Sequence, residues 1–239
     1  MIKYIPFLKA KQNELKAMSE LNAPVKLAIC PFFDFPRKKP DYSEELYSKK
    51  TRSIVSGIRR HWGAEMEFYF DDLDIEQTIS VDGQEQYEYV LSQLHGLNVI
   101  PVVGLERTDH NASVVSLKRG GGLESNVVAF RADSDDFEDY DYIEGQIDDD
   151  LASVFAEFEA VDLMLDCRLC SGSDVDERAS QIADFVQKFT NQYHNVRRVV
   201  VTGSSIPPTW RGIIDTDSSG HLPRKELDII ARARSQSGV

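Results

Sequence analysis

Residues 161–201 read VDLMLDCRLCSGSDVDERASQIADFVQKFTNQYHNVRRVVV, and their pattern decides the fold class. Residues 161–165 are a short apolar run of strand length. Residues 175–193 carry Ile182, Phe185, Val186 and Phe189 at helical spacing, which marks one buried stripe on a long helix. Residues 197–201 return to a β-branched run. Strand, long helix and strand in succession define a βαβ unit and so a parallel sheet.

The same alternation extends toward the N-terminus. Strands are expected at 4–8, 26–33, 65–70, 98–103 and 126–130. Helical patterns lie between them at 11–21, 43–62, 84–97, 112–118 and 143–158, and a last helix is expected over 223–234, with Pro223 in its first turn. Right-handed crossovers allow these units to wind into a barrel or a doubly wound sheet. About seven strand–helix units fit a parallel (β/α)8-type barrel that is incomplete, its last strand absent. An open seven-stranded sheet is the alternative. With no linker, no second core and no short repeat, residues 1–239 are expected to form one domain.

Composition narrows the class of function. The chain has 239 residues and a net charge of −13, from 27 Lys and Arg against 40 Asp and Glu. At 41% hydrophobic it is too apolar to be disordered. Three cysteines exclude a disulfide scaffold and fit a reducing compartment. No run approaches the roughly 18 apolar residues of a membrane span, and Lys9 and Lys11 follow the short apolar start where a secretory signal would precede it with charge. A cytoplasmic protein with no membrane contact is expected. The acidic balance argues against general nucleic-acid binding, without forbidding a local basic pocket.

In parallel α/β folds, chemistry sits where strands end and loops begin. The polar residues expected there are Lys9 and Lys11 after the first strand, Asp34 after the second, Asp71 and Asp72 after the third, and Glu106 and Arg107 after the fourth. Arg131, Asp166 and Ser204 follow strands five, six and seven. Strand parity aims Asp71, Arg131 and Asp166 at the barrel axis. Converging Lys, Arg and Asp suit an anionic or zwitterionic ligand, or compensate one another as ion pairs. Paired carboxylates also serve as acid and base or hold a divalent metal.

Other motifs are weaker. Residues 133–150 hold ten carboxylates and no Lys or Arg; they read as an acidic loop and helix-start insertion, solvated in the ordinary case and a docking surface for a basic partner in the sharper one. Asp215, Asp217, Ser219 and Glu226 match the Ca²⁺-loop string at positions one, three, five and twelve. Pro207 and Pro208 precede that string and Pro223 interrupts it, so no metal is expected there. Cys167 and Cys170 form a lone C-x-x-C without the second ligand pair that zinc needs. The run 118–122, KRGGG, precedes a strand, whereas a phosphate loop opens a helix. No cofactor is expected.

Four segments, in order, resemble the phage "beta protein" family. They are 4–14 (YIPFLKAKQNE), 28–36 (AICPFFDFP), 200–207 (VVTGSSIP) and 223–226 (PRKE). The resemblance implies a barrel-like α/β fold and a gene carried by phages, satellites and prophages. It implies a place in loci where one product kills the host bacterial cell and the beta protein counteracts it, loci linked to anti-phage defence. The family's opening Lys and Glu residues fall on Lys9, Lys11 and Glu14, and its acids on Asp34 and Asp166. A further strand and helix are expected after the last helix; since the chain ends at Val239, an open sheet edge is expected to be completed by a protein partner or by self-association. The partner class is the product of a neighbouring defence or toxin gene. The expected function is therefore binding; the alternative is a barrel enzyme, a metal-assisted hydrolase of a phosphate-bearing ligand that uses Lys9, Asp34, Asp71, Arg131 and Asp166.

Overall fold

The computed structural model describes residues 2–38, 41–75, 79–207 and 219–238. Seven strands alternate with helices in chain order. They are β1 (Phe7–Lys9), β2 (Phe32–Asp34), β3 (Phe68–Asp71), β6 (Val99–Val103), β7 (Val127–Asp133), β8 (Ala160–Leu169) and β9 (Val196–Ser204). A small antiparallel hairpin, β4 (Ser80–Val81) and β5 (Gln84–Glu85), stands outside the order. The principal strands pair as β1-β2-β3-β6-β7-β8-β9. This is the parallel α/β class of the incomplete (β/α)8 type, with seven strand–helix units and no eighth strand among the described residues.

The chain divides into two compact units. The first comprises Met1–Ala129 and Asp149–Ala160, the second Phe130–Asp148 and Val161–Val239. The single domain expected from sequence rested on the lack of a linker. The three crossings fall inside β7, inside α6 (Tyr140–Phe155) and after the first residue of β8, where regular structure continues and composition carries no mark.

In the first unit β1, β2, β3 and β6 form parallel pairs. Helices α1 (Gln12–Ser19), α2 (Ala23–Ala28), α3 (Glu44–His61), α4 (Gln86–Gln93) and α5 (Thr108–Arg119) flank them. Every residue of β2 and β3 is buried, as expected for parallel strands covered on both faces. Phe7 stacks on Phe32 across the ladder at 4.2 Å, and Phe35, just after β2, stacks on Tyr47 of α3 at 4.6 Å between ring centroids.

The expected strand at 26–33 starts too early, because residues 23–28 are helical. The Asn22 side chain accepts from the Val25 N–H at 3.0 Å and Pro24 sits in the first turn, a start signal that outweighs the apolar run behind it. The helix expected at 84–97 is shorter in the structure, running from Gln86 to Gln93. Asp82 and Gly83, at φ 54° and 81°, turn the β4–β5 hairpin, and the Asp-Gly pair is the sequence signal for that turn.

In the second unit α7 (Val175–Gln192) buries Ile182, Phe185, Val186 and Phe189, the expected stripe. Asp174 caps it, accepting from the N–H groups of Asp176 and Glu177. Strand β8 runs four residues beyond its expected end, and its register with β9 shifts between Asp166 and Leu169, where Arg168 has φ 52°. That irregularity brings Cys167 and Cys170 against Gly203 of β9. Both cysteines are free thiols. Within the acidic run 133–150, Asp133 and Asp139 accept backbone N–H groups of Asp135 and Asp141, and Asp148 accepts from the Tyr193 hydroxyl at 2.5 Å. Helix α8 (Lys225–Ser237) closes the unit.

Two glycines separate tight packing from slack. A Cβ on Gly203 would lie 2.7 Å from the Cys170 sulfur and 3.1 Å from the Cys167 Cβ, atoms held on a strand. A Cβ on Gly57 would meet only the movable tip of Leu15 at 2.7 Å. In urea denaturation Gly203→Ala is expected to cost about 1–3 kcal/mol from overpacking. Gly57→Ala is expected to be near neutral or stabilising, since alanine favours the helix by about 1 kcal/mol.

Candidate functional site

The carboxyl ends of β1, β2 and β3 place three expected residues in one row. Lys9 is the register partner of Asp34, and Asp34 of Asp71. The Lys9 ammonium lies 2.9 Å from Asp34 Oδ2 and 2.6 Å from Asp74 Oδ2. Burial works against its charge, but the two carboxylates prevail and hold its pKa above the usual lysine value. Lys11 does not join this cluster; it is the exposed residue preceding α1. Glu14, in the first turn of α1, is half-buried, and burial raises its pKa against the lowering charges of Lys11 and Lys9.

Asp71 is fully buried, and its partner comes from the loop after β6. Nη2 of Arg107 donates to Asp71 Oδ1 at 2.7 Å and to Asp72 Oδ1 at 3.3 Å, and lies 3.0 Å from His110 Nδ1. His110 Nε2 is 2.9 Å from the Val102 carbonyl, which can only accept, so Nε2 carries the proton and Nδ1 accepts from Arg107. The imidazole stacks on Tyr87 at 3.6 Å. Burial and the Arg107 charge push the His110 pKa well down, so the ring is neutral. Asp72 also accepts from Gln86 at 2.9 Å and Tyr47 at 3.4 Å through Oδ2. Even so, burial pushes its pKa up to about 7; Arg107 opposes that rise, while Asp71 and Glu85 add to it.

Ligand atoms of Asp71, Asp72 and His110 lie within 4.8 Å of one another, a donor set that a divalent metal accepts. Arg107 Nη2, at 2.7–3.3 Å from the same atoms, holds the position a cation would take. The protein's own guanidinium serves as counter-ion, and the set does not fit a metal while Arg107 stays there. Among the described residues, Arg107 Nε and Nη1 are buried without a hydrogen-bond partner.

In the second unit Arg131 grips Asp166 Oδ2 through Nε at 3.1 Å and Nη2 at 2.5 Å. Arg131 lies within β7 rather than after it. Arg168 adds its backbone N–H to Asp166 Oδ1 at 2.9 Å. Ser204 turns inward on its own loop, donating to the Ile206 carbonyl and accepting its N–H. At the far end of β8, Arg197 holds the buried Asp162 through Nε at 3.0 Å and Nη2 at 2.6 Å.

Of the Ca²⁺-loop string, Asp215 and Asp217 lie outside the described residues. Glu226 is buried, accepts from the Ser205 N–H at 3.1 Å and from the Ser205 hydroxyl, and pairs with Arg224. Cys167 donates toward Cys170; that bond and burial push the Cys167 thiol up, and the same bond pulls Cys170 down.

Strand-end position singles out Lys9 and Asp34, and strand parity Asp71, Arg131 and Asp166. Neither reaches Asp74 or His110, and neither joins Arg107 to Asp71 and Asp72. The signal available was the acidic run Asp71-Asp72-Leu73-Asp74 facing a chain in which cations are outnumbered.

Fold and ion pairs together define a parallel α/β protein of the incomplete barrel type with neutralised strand ends. The chain belongs to the Beta protein family, whose model matches residues 4–239. No curated protein matches the sequence. Solved structures similar to the chain include a GH128 endo-β-1,3-glucanase of Amycolatopsis mediterranei, at 13% identity and TM-score 0.48 over 95% of this chain and 98% of that one. A D-psicose 3-epimerase is similar at 11% identity and TM-score 0.46 over 98% and 89%. A glucosidase of Croceicoccus marinus is similar at 14% identity and TM-score 0.44; the likeness covers 75% of this chain and 44% of the glucosidase.

The Asp72 shift has a pH signature. A carboxyl raised from 3.8 to about 7 on folding adds stability that is complete below about pH 4 and lost as pH rises through about 7. His110 acts in the opposite sense, its contribution being present above 6.5 and lost as pH falls. In urea unfolding between pH 4 and 8, the stability of wild type minus that of Asp72→Asn is expected to fall as pH rises, by at most about 4 kcal/mol. A difference that does not vary with pH would contradict the raised Asp72. Arg107→Ala, which leaves Asp71 buried without its cation, is expected to cost about 3–5 kcal/mol in the same measurement.

Proposed function

We propose that this chain acts by binding, as a phage- or prophage-encoded factor of anti-phage defence that counteracts a linked toxic protein. One observation carries the reading. The strand-end acids that a metal-assisted hydrolase would need are already engaged by internal cations: Asp34 by Lys9, Asp71 and Asp72 by Arg107, and Asp166 by Arg131. A carboxylate held by an internal ammonium or guanidinium at 2.5–3.3 Å is a poor metal ligand. Membership of the Beta protein family supports the defence context. The partner is a protein, the product of a neighbouring gene. It is met in the cytoplasm of the host cell.

A second reading, turnover, has one observation in its favour. Asp72, pushed up to about 7, lies beside an Arg107 whose Nε–H and Nη1–H groups have no acceptor among the described residues. An acid of that pKa suits proton transfer near neutrality, and the free N–H groups suit a ligand oxygen.

Co-expression separates the two. With the toxic product of the adjacent gene expressed in the same cells, the chain is expected to restore growth and to co-purify with that product in a fixed ratio. Killing that proceeds equally with and without the chain would overturn the defence role. Protection at substoichiometric amounts, lost in Asp72→Asn while the variant stays folded, would decide for turnover.

A further inference from the structure

Helix α3 distributes its charge unevenly. Glu44 and Glu45 occupy its first turn, and from residue 49 to 61 it carries Lys49, Lys50, Arg52, Arg59 and Arg60 with no acid. Arg52, Val55, Ser56, Arg59 and Arg60 recur at intervals of three and four and so share one helical face. With Gln93 at the end of α4 they line a shallow, open surface cleft of about 450 Å³. No carboxylate lines it.

Several arginines of this chain are paired with acids. Arg119 pairs with Glu157, Arg197 with Asp162, and Arg232 with Asp176. Among the described residues, Arg52, Arg59 and Arg60 have no carboxylate partner, in a protein where 40 acids face 27 bases. Arg59 is oriented toward α4 by a hydrogen bond to the His95 carbonyl at 2.8 Å. The helix dipole accounts for basic residues in the last turn, hence for Arg59 and Arg60. It does not account for Arg52, two turns earlier, whose like charge repels theirs.

We propose that this cleft on α3 and α4 binds a small molecule carrying two or more phosphate groups. Guanidinium is the side chain best matched to phosphate oxygens, through paired N–H donors and a charge that never titrates away. Arg52 lies about 11 Å along the helix axis from Arg59 and Arg60, so a chain of linked phosphates spans the cluster better than one phosphate does. Ser56 adds a hydroxyl between the two ends, Gln93 an amide, and Val55 an apolar floor for the rest of the ligand. The site is built from helix surfaces and uses none of the strand-end ion pairs, so it stands whether the protein acts by binding or by turnover.

Tripolyphosphate is the probe. Isothermal titration at low salt is expected to show saturable binding to the wild-type chain, weakened by added salt. Arg52→Gln with Arg60→Gln is expected to lower the affinity about tenfold, the sum of two exposed charge contacts. Inorganic phosphate is expected to bind more weakly than tripolyphosphate. Arg119→Gln, which removes an exposed arginine elsewhere, is expected to bind as wild type. All these positions are exposed, and glutamine keeps the helix, so circular dichroism should not change. Absence of binding to the wild type, or equal losses in Arg119→Gln and the double variant, would overturn the site. Binding of a hexaglutamate peptide without binding of tripolyphosphate would overturn the phosphate class and point to an acidic protein segment.

Discussion

The parallel register of β1, β2 and β3 is the constraint on which the first unit depends. In-register parallel strands stand about 4.8 Å apart, so residues at the same level are forced into contact distance. Here the aligned residues are Lys9, Asp34 and Asp71. Lys9 neutralises its neighbour directly. Asp71 has only another carboxylate beside it on that flank, inside a region closed to water, and a buried acid without a cation is costly. Arg107 supplies the charge from the loop after β6, and that loop bends sharply to deliver it. Glu106 has φ 57°, and the Asn111 side chain ties the loop to Gly104. A strand register thus dictates the shape of a loop two elements away.

The same rule recurs in the second unit, where buried acids on β8 draw arginines from the neighbouring strands: Asp166 from β7 and Asp162 from β9. Lys9, Arg107, Arg131 and Arg197 serve these internal carboxylates. The net charge of −13 gives the surface a negative potential that repels polyanions, and the arginine face of α3 runs against it. Selectivity among anionic ligands would then come from place rather than from overall charge.

Much of the architecture is legible in sequence because parallel strands and their crossover helices have different periods. The α7 stripe can be read from residues alone, and so can the level at which Asp34, Asp71 and Asp166 leave their strands. What could not be read has physical reasons. The short helix α2 competes with a strand pattern and is decided by one capping asparagine and one proline. The β8 extension depends on a bulge paired to β9, which is information from another part of the chain. Arg107 and His110 act through side-chain directions in a loop and the turn after it, and periodicity sets no direction there. Asp74 lies beyond the strand, where parity stops.

Both compact units are stitched from two separate stretches of polypeptide, since the chain passes between them at residues 129/130, 148/149 and 160/161. No single cut yields either one whole. Truncations from one end therefore remove part of a unit and strand the remainder, and an exchange of gene segments with a relative carries a complete unit across only if it moves two non-adjacent blocks together. Such a chain is inherited as a whole, and its two halves of sequence are not its two halves of structure.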